Sequence, residues 1–288
     1  MKVLSFGEIL WDVYPDKKFI GGAPLNFAAH LAKQGDKVYM LSCLGQDELG
    51  NEALLQLKNW GICTDFVGLS AQKQTGQCLV TLDKNGVPNY DLKYNVAYDY
   101  IDCHGLNGQF DVLYFGTLAL RNKYNFDSLA ELVKSHKFSD IFVDVNIRSP
   151  FYSYDSVTFC ISNATILKIS LEELPVVAQL LNMDAGLLYD EFVKRLSERY
   201  KSLKVIVITL GADGAYCYDC KKGQEYRCLA QKVAVASTVG AGDSFSAAFL
   251  HRLYDKMDVG FSLEYATRVA AFVVSKYEAV PEYNARSF

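Results

Sequence analysis

The stretch KVIVITLG, residues 204–211, decides how the rest of the chain is read. Four β-branched aliphatic residues run without a polar break up to Thr209, and Gly211 closes the segment. A strand with one wet face alternates apolar and polar side chains, so an unbroken run points to a strand buried on both faces. The same signature recurs in KVLSFGEI (2–9), KVYMLSCLG (37–45), FDVLYFGTL (110–118), DIFVDVN (140–146) and ATILKIS (164–170). Between these runs, helical spacing appears at 24–33, 48–60, 125–135, 187–200 and from Asp243 onward. Alternation of this kind predicts an α/β fold: a central, mainly parallel sheet with helices on both faces, α/β/α in three layers.

One region departs from that pattern. TGQCLVTLDKNGVPNYDLKY (75–94) has strand character on both sides of DKNG, a hairpin signal. With VYPDKKFIGG (13–22) it predicts a small antiparallel sheet projecting from the body, built from segments near 12–20 and 75–100. Such a sheet can act as a lid that excludes water from a reaction site. No repeat, low-complexity tract or interdomain linker interrupts residues 1–288, which read as a single domain.

Composition removes several function classes. Lys and Arg number 29 against 33 Asp and Glu, a net charge of −4 with no basic stripe, so neither nucleic acid nor a membrane surface is an expected partner. The N-terminal apolar run is too short for a signal peptide and nothing approaches a membrane span, so the chain reads as cytoplasmic. The eight cysteines then read as reduced thiols. Cys217 and Cys220 form one CxxC, but GAYCYDCKKGQEYRCL reads as a hairpin turning at KKGQ, whose strands would send those two thiols to opposite faces. The four histidines show no metal spacing, and no metal ligand is assigned.

The chemistry concentrates in two glycine-bearing stretches. In ASTVGAGDSFSAAF (236–249), Phe245, Phe249 and Leu253 recur at four-residue spacing, so a helix starts behind Gly240-Ala241-Gly242. Free N–H groups at a helix start, approached through glycines, make an anion site. Asp243 beside such a site has two readings, a helix cap or a base that takes a proton from an attacking hydroxyl. On spacing alone capping is the simpler account. In FIGGAPLNFAAHLAKQG (19–35), Gly21 and Gly22 precede a second helix start, and Asn26 in its first turn can both donate and accept hydrogen bonds. Asp12 follows the first strand, where open α/β sheets place ligands.

GGAPLNFAAHLAKQGDKVYMLSCLG (21–45) and STVGAGDSFSAAFL (237–250) resemble, in order and separation, the two signature motifs of the PfkB (ribokinase-like) carbohydrate kinase family. TLGADGA (209–215) and DVNIRSPFY (144–152) extend the likeness nearly end to end, and GEILWDVYP, DVNIR and LKISLEEL most resemble fructokinases. The resemblance implies ATP-dependent transfer of a phosphoryl group to a primary hydroxyl of a small sugar, fructose first, with ribose, 2-keto-3-deoxygluconate or a nucleoside as alternatives. It makes Asp243 the base and Gly240, Ala241 and Gly242 the anion hole. Asp12, Gly21, Gly22 and Asn26 map to sugar-binding positions. Thr209 and Gly211 map to nucleotide contacts, and Ser170 and Glu173 to the family's N-x-x-E element, associated with magnesium and phosphate.

Two positions depart from the family pattern. Ser170 replaces the asparagine of that element, and Ser237 replaces an aspartate tied in relatives to a monovalent-cation site, which speaks against potassium activation. ATP and Mg²⁺ are the implied cofactors, the metal held mainly by phosphates and water. Arg148 has two open roles, contact with substrate or phosphoryl group, or an ion pair bracing the lid. A homodimer through the lid is a further implication. A nicotinamide-dependent dehydrogenase lacks its G-x-G-x-x-G after the first strand. A catalytically idle sugar- or nucleotide-binding regulator remains the alternative to an enzyme.

Overall fold

The structure is a computed structural model that describes residues 1–82 and 88–288. In chain order its elements are β1 (Lys2–Phe6), β2 (Leu10–Val13), β3 (Lys18–Gly21), α1 (Ala23–Lys33), β4 (Lys37–Gly45), α2 (Glu48–Asn59), β5 (Cys63–Ser70), β6 (Gly76–Leu82) and β7 (Pro88–Leu92). These are followed by β8 (Val112–Phe115), α3 (Lys123–Ser135), β9 (Asp140–Asp144), α4 (Tyr154–Asn163), β10 (Ile166–Ser170), α5 (Leu174–Leu180) and α6 (Tyr189–Arg199). The chain continues through β11 (Val205–Thr209), β12 (Ala215–Asp219), β13 (Gln224–Cys228), α7 (Ala241–Tyr254) and α8 (Val259–Val274).

The main sheet has the order β13-β12-β11-β10-β9-β8-β1-β4-β5. Its pairs from β11 through β5 are parallel, and the β11-β12-β13 edge is antiparallel. The unbroken apolar runs are explained by the packing. Along β11, Val205 and Val207 face one core with Phe27, Phe249 and Leu263, while Ile206 and Ile208 face the other with Leu129, Val177 and Phe192. Helices α1, α2, α7 and α8 therefore cover one face of the sheet and α3 to α6 the other. Cys217 lies in the first core, and Cys220 packs against the second, so the two thiols of the CxxC do part across the sheet. The β12–β13 hairpin turns where KKGQ placed it, with Asp219 opposite Gln224.

The small sheet has the order β3-β2-β6-β7. Its two outer pairs are antiparallel, and its central pair, β2 on β6, is parallel, so the sheet is mixed where an antiparallel one was expected. Leu10, Cys78, Val96 and Tyr98 form its own buried cluster. The DKNG turn expected at its tip lies outside the described residues. Among the described residues no helix is long and apolar enough to cross a membrane.

Candidate active site

Strand order reverses beside β1: the chain moves from β1 to β4 on one side and later to β8 on the other. In open α/β sheets the crevice beyond the strand ends at such a point is where ligands sit. A cavity lies there, lined among others by Glu8, Pro24, Tyr114, Thr117, Asp144 and Arg148. It is bounded by the ends of β1, β8 and β9 and by the start of α1.

The two glycine-bearing stretches meet at this crevice. Asn26 Nδ2 donates to Asp243 Oδ2 at 2.8 Å, across 217 residues of sequence. Both side chains are buried, and Asn26 Oδ1 has no protein partner. The simpler account of Asp243 does not hold: Gly240 is the N-cap of α7, and no side chain caps the helix. Gly240 holds a left-handed φ of 79°, and a Cβ there would stand 2.5 Å from the carbonyl oxygen of Ala279, so glycine is required on both counts. Ala241 N donates to Thr238 O at 3.3 Å, and Ala241 and Gly242 are only half-buried. The first turn of α7 is thus an open helix start with a buried carboxylate beside it.

Burial pushes the Asp243 carboxyl up to about 6. The Asn26 amide works against that rise, Asp144 adds to it, and Lys168 and Arg148 oppose it. Lys168 was not singled out from sequence, yet it lies at the centre of the site. Its Nζ donates to both carboxylate oxygens of Asp144, at 2.9 and 2.7 Å, from register-partner positions on β10 and β9. Both side chains are nearly sealed from solvent. Burial pulls the Lys168 ammonium down, but Asp144, Glu173 and Asp243 outweigh it and leave it raised. Ser246 Oγ lies within hydrogen-bond distance of Asp144 and of Gly242 O, which ties the pair to the first turn of α7. A Cβ on Gly242 would come within 3.3 Å of Lys168 Nζ, so the ammonium sits directly beneath that turn.

Glu8 is the second residue that sequence reading passed over. It follows β1, is buried, and its Oε1 accepts from Ala23 N, the first amide of α1, at 3.2 Å. Burial pushes its carboxyl up to about 7, the backbone donations lower it, Asp243 raises it and Arg148 lowers it. Gly22 makes this approach possible: its φ is +113°, and a Cβ there would stand 2.4 Å from Glu8 O. Gly21 packs against Asp12, whose Oδ2 would be 3.2 Å from a Cβ at that position. Asp12 is half-buried on β2, and burial raises its carboxyl while Arg148 and Cys78 lower it. Arg148, exposed in the loop after β9, is the shared electrostatic neighbour of Glu8, Asp12 and Asp243. It makes no ion pair among the described residues, which do not include the tip of the small sheet.

The remaining candidates line the same edge of the sheet further along. Ser170 and Thr209 end β10 and β11 as register partners, and Leu171 N donates to Thr209 O at 2.9 Å. Gly211 is exposed just beyond them. Ser170 ends the strand that carries Lys168, and Thr209 and Gly211 lie one strand spacing further out, about 5 Å. Glu173 uses both carboxylate oxygens on backbone: it accepts from Ile147 N at 2.6 Å and from Ser170 N at 2.8 Å. It therefore fixes the loop that carries Arg148 to the end of β10. Ser170 Oγ accepts in return from Glu173 N at 3.3 Å.

Comparison with known proteins agrees with this geometry. The family model described as pfkB family carbohydrate kinase matches residues 5–284. The chain is 28% identical over 273 residues to probable fructokinase-5 of Arabidopsis thaliana, covering 86% of this chain and 81% of the relative. It is 24% identical over 298 residues to 5-dehydro-2-deoxygluconokinase of Listeria innocua, covering 97% and 88% respectively. Among solved structures, fructokinase with bound ATP from Xylella fastidiosa superposes with a TM-score of 0.85 at 20% identity, covering 97% of this chain and 94% of that one. The chain therefore belongs to the pfkB family of carbohydrate kinases, phosphotransferases whose acceptor is an alcohol group.

Proposed function

We propose that the chain transfers the γ-phosphoryl group of ATP to a primary hydroxyl of fructose. The observation that carries this reading is the Asn26–Asp243 hydrogen bond, which sets a buried carboxylate of raised pKa at the open start of α7. Asp243 takes the proton of the attacking hydroxyl, and the Asn26 amide holds the oxygen that does not. Among the described residues Asn26 Oδ1 has no partner and can accept from another sugar hydroxyl, and the Asp12 carboxylate, which also meets Cys78, can accept from a further one. Amides of the Gly240-Ala241-Gly242 turn stabilise charge on the phosphoryl group in the transition state. Ser170, Thr209 and Gly211 lie where the nucleotide would extend along the sheet edge.

The donor set also fits a magnesium ion carried by phosphates and water. No group of three or more His, Cys, Asp or Glu side chains among the described residues is placed to hold a metal, and Glu173 is committed to two backbone amides. A magnesium ion bound with the nucleotide would supply neutralisation of phosphate charge. Ser237 Oγ accepts from Val239 N at 3.2 Å, and its hydroxyl in place of the relatives' aspartate is the ground for doubting potassium activation. The reading places the protein in the cytoplasm, and the open edges β3 and β7 of the small sheet support pairing with a second copy.

Purified chain assayed for ADP release across fructose, ribose, 2-keto-3-deoxygluconate and a nucleoside tests the proposal. Fructose-dependent release at the highest kcat/KM is the expected outcome. Release that ignores every sugar, or a clear preference for another acceptor, would overturn it.

A further inference from the structure

The sugar side of the site holds three carboxylates, Glu8, Asp12 and Asp243, for which Arg148 is the shared cation. The other cations nearby are neutralised. Lys168 is held in two hydrogen bonds to Asp144. Arg121 donates from Nε and Nη2 to the two oxygens of Asp99, at 2.7 and 3.0 Å, with its guanidinium stacked over Tyr94, Tyr98 and Phe151. A further source of positive potential would be the N-terminus of α1, which opens on the same cavity. Helix α1 has no acidic residue of its own in its first turn. Glu8 supplies that charge from another element, its carboxylate on Ala23 N where an anionic ligand would otherwise bind.

We propose that Glu8 sets the charge of the acceptor: by occupying the start of α1 and outnumbering Arg148 together with Asp12 and Asp243, it makes the pocket accept an uncharged polyhydroxy sugar and reject a sugar that carries a carboxylate. This rests on the sugar-kinase reading above and deepens it. Specificity of this kind comes from repulsion built against the wrong ligand. It separates two acceptor chemistries found among the relatives, since the Arabidopsis protein is named for a neutral ketose and the Listeria protein for a sugar acid. The groups facing Glu8 are Asp243 from α7, Arg148 from the loop after β9, Arg121 and Tyr98 beneath the small sheet, and Tyr114 from β8. With its carboxyl raised to about 7, Glu8 loses its charge first as pH falls, so rejection of the acid should weaken between pH 8 and pH 6.

The experiment measures binding of fructose and of 5-dehydro-2-deoxygluconate by calorimetry, together with ADP release, in the wild type, Glu8→Gln, Glu8→Asp and Arg148→Gln. The wild type should favour fructose by at least about tenfold. Glu8→Gln should narrow that ratio about tenfold by gaining affinity for the acid, Arg148→Gln should widen it, and Glu8→Asp, which keeps the charge, should preserve it even if both sugars bind less tightly. An unchanged ratio in Glu8→Gln, or a wild type that binds the acid as tightly as fructose, overturns the proposal. If fructose binds with the predicted ratios but no ADP is released, the kinase reading falls and the charge filter stands. If neither sugar binds, both fall.

Discussion

Two helices begin at the site behind glycines, and they begin differently. At α1 the N-cap is Gly22 with φ 113°, Pro24 lacks an amide hydrogen, and the Ala23 amide is taken by Glu8. At α7 the N-cap is Gly240 with φ 79°, no side chain caps the turn, and two of its three first residues are half-exposed. One positive helix end is filled by the protein's own carboxylate and the other is left open. On the proposed function, the difference divides the reaction between them: α1 would face hydroxyl groups and α7 would face phosphate. Asn26 and Asp243 join the halves.

The largest effect should come from cutting that join on the α7 side. Asp243→Asn should lower kcat roughly 10²–10⁴-fold, while calorimetric binding of sugar and nucleotide changes little; near-normal turnover would remove Asp243 as the base. Next in size is Lys168→Met, which leaves Asp144 buried without a cation and with Ser246 as a remaining side-chain partner. It should destabilise the fold by about 3–5 kcal/mol in urea denaturation, and pairing it with Asp144→Leu should recover most of the loss. If the double variant were as unstable as the single one, the ion pair would not be what holds the first turn of α7 to β9 and β10.

The two glycines give a smaller and more discriminating test. Gly22→Ala and Gly240→Ala each force a Cβ onto a carbonyl oxygen, of Glu8 and of Ala279, at a positive φ. Each should cost on the order of 1–3 kcal/mol, but the kinetic signatures should separate. Gly22→Ala should raise KM for sugar, and Gly240→Ala should raise KM for ATP and lower kcat. Identical signatures would erase the division between the two helix starts.

The smallest effect is titration. The base must be ionised, so kcat/KM should fall about tenfold per pH unit below the Asp243 value of about 6. Stability runs the other way. Asp243 and Glu8 have folded values of about 6 and about 7, above their ordinary range, so protonation favours the folded state. Their stabilising contribution is fully present below about pH 4 and is lost as pH rises through those two folded values. Glu8→Gln and Asp243→Asn should each flatten the urea-midpoint profile between pH 5 and pH 8, and an unflattened profile would place the raised carboxyls elsewhere.

What the sequence made legible follows from burial. Strands covered on both faces announce themselves, and β1, β4, β8, β9, β10 and β11 all lie within the apolar runs. The edge strand β5, CTDFVGLS, is only half-buried along its length and gave no comparable run. Helix α8 escaped a separate assignment because it is apolar on most of its circumference, packed between β12, β13 and α7. Within the site, Asp243, Asn26 and the glycines stood in recognisable local patterns. Glu8 did not, because its role depends on an amide fifteen residues away in sequence. Lys168 and Asp144 did carry a signal: Lys168 is the lone charge of an otherwise apolar strand, Asp144 closes the apolar run of the strand before it, and the two strands are consecutive. Two such charges on neighbouring buried strands can only be tolerated as a pair.

The Asn26–Asp243 contact also bears on how the protein comes into being. The last residue lining the sugar-side cavity is Arg148, while the base lies 217 residues after its amide partner. At ordinary rates of translation that interval lasts roughly 10–45 s. Throughout it the emerging chain lacks Asp243, and only its last stretch, after Arg148, holds every residue that lines the cavity. On the proposed role of Asp243, activity would begin only when α7 leaves the ribosome and docks on α1, and a prematurely terminated product would be inert toward ATP.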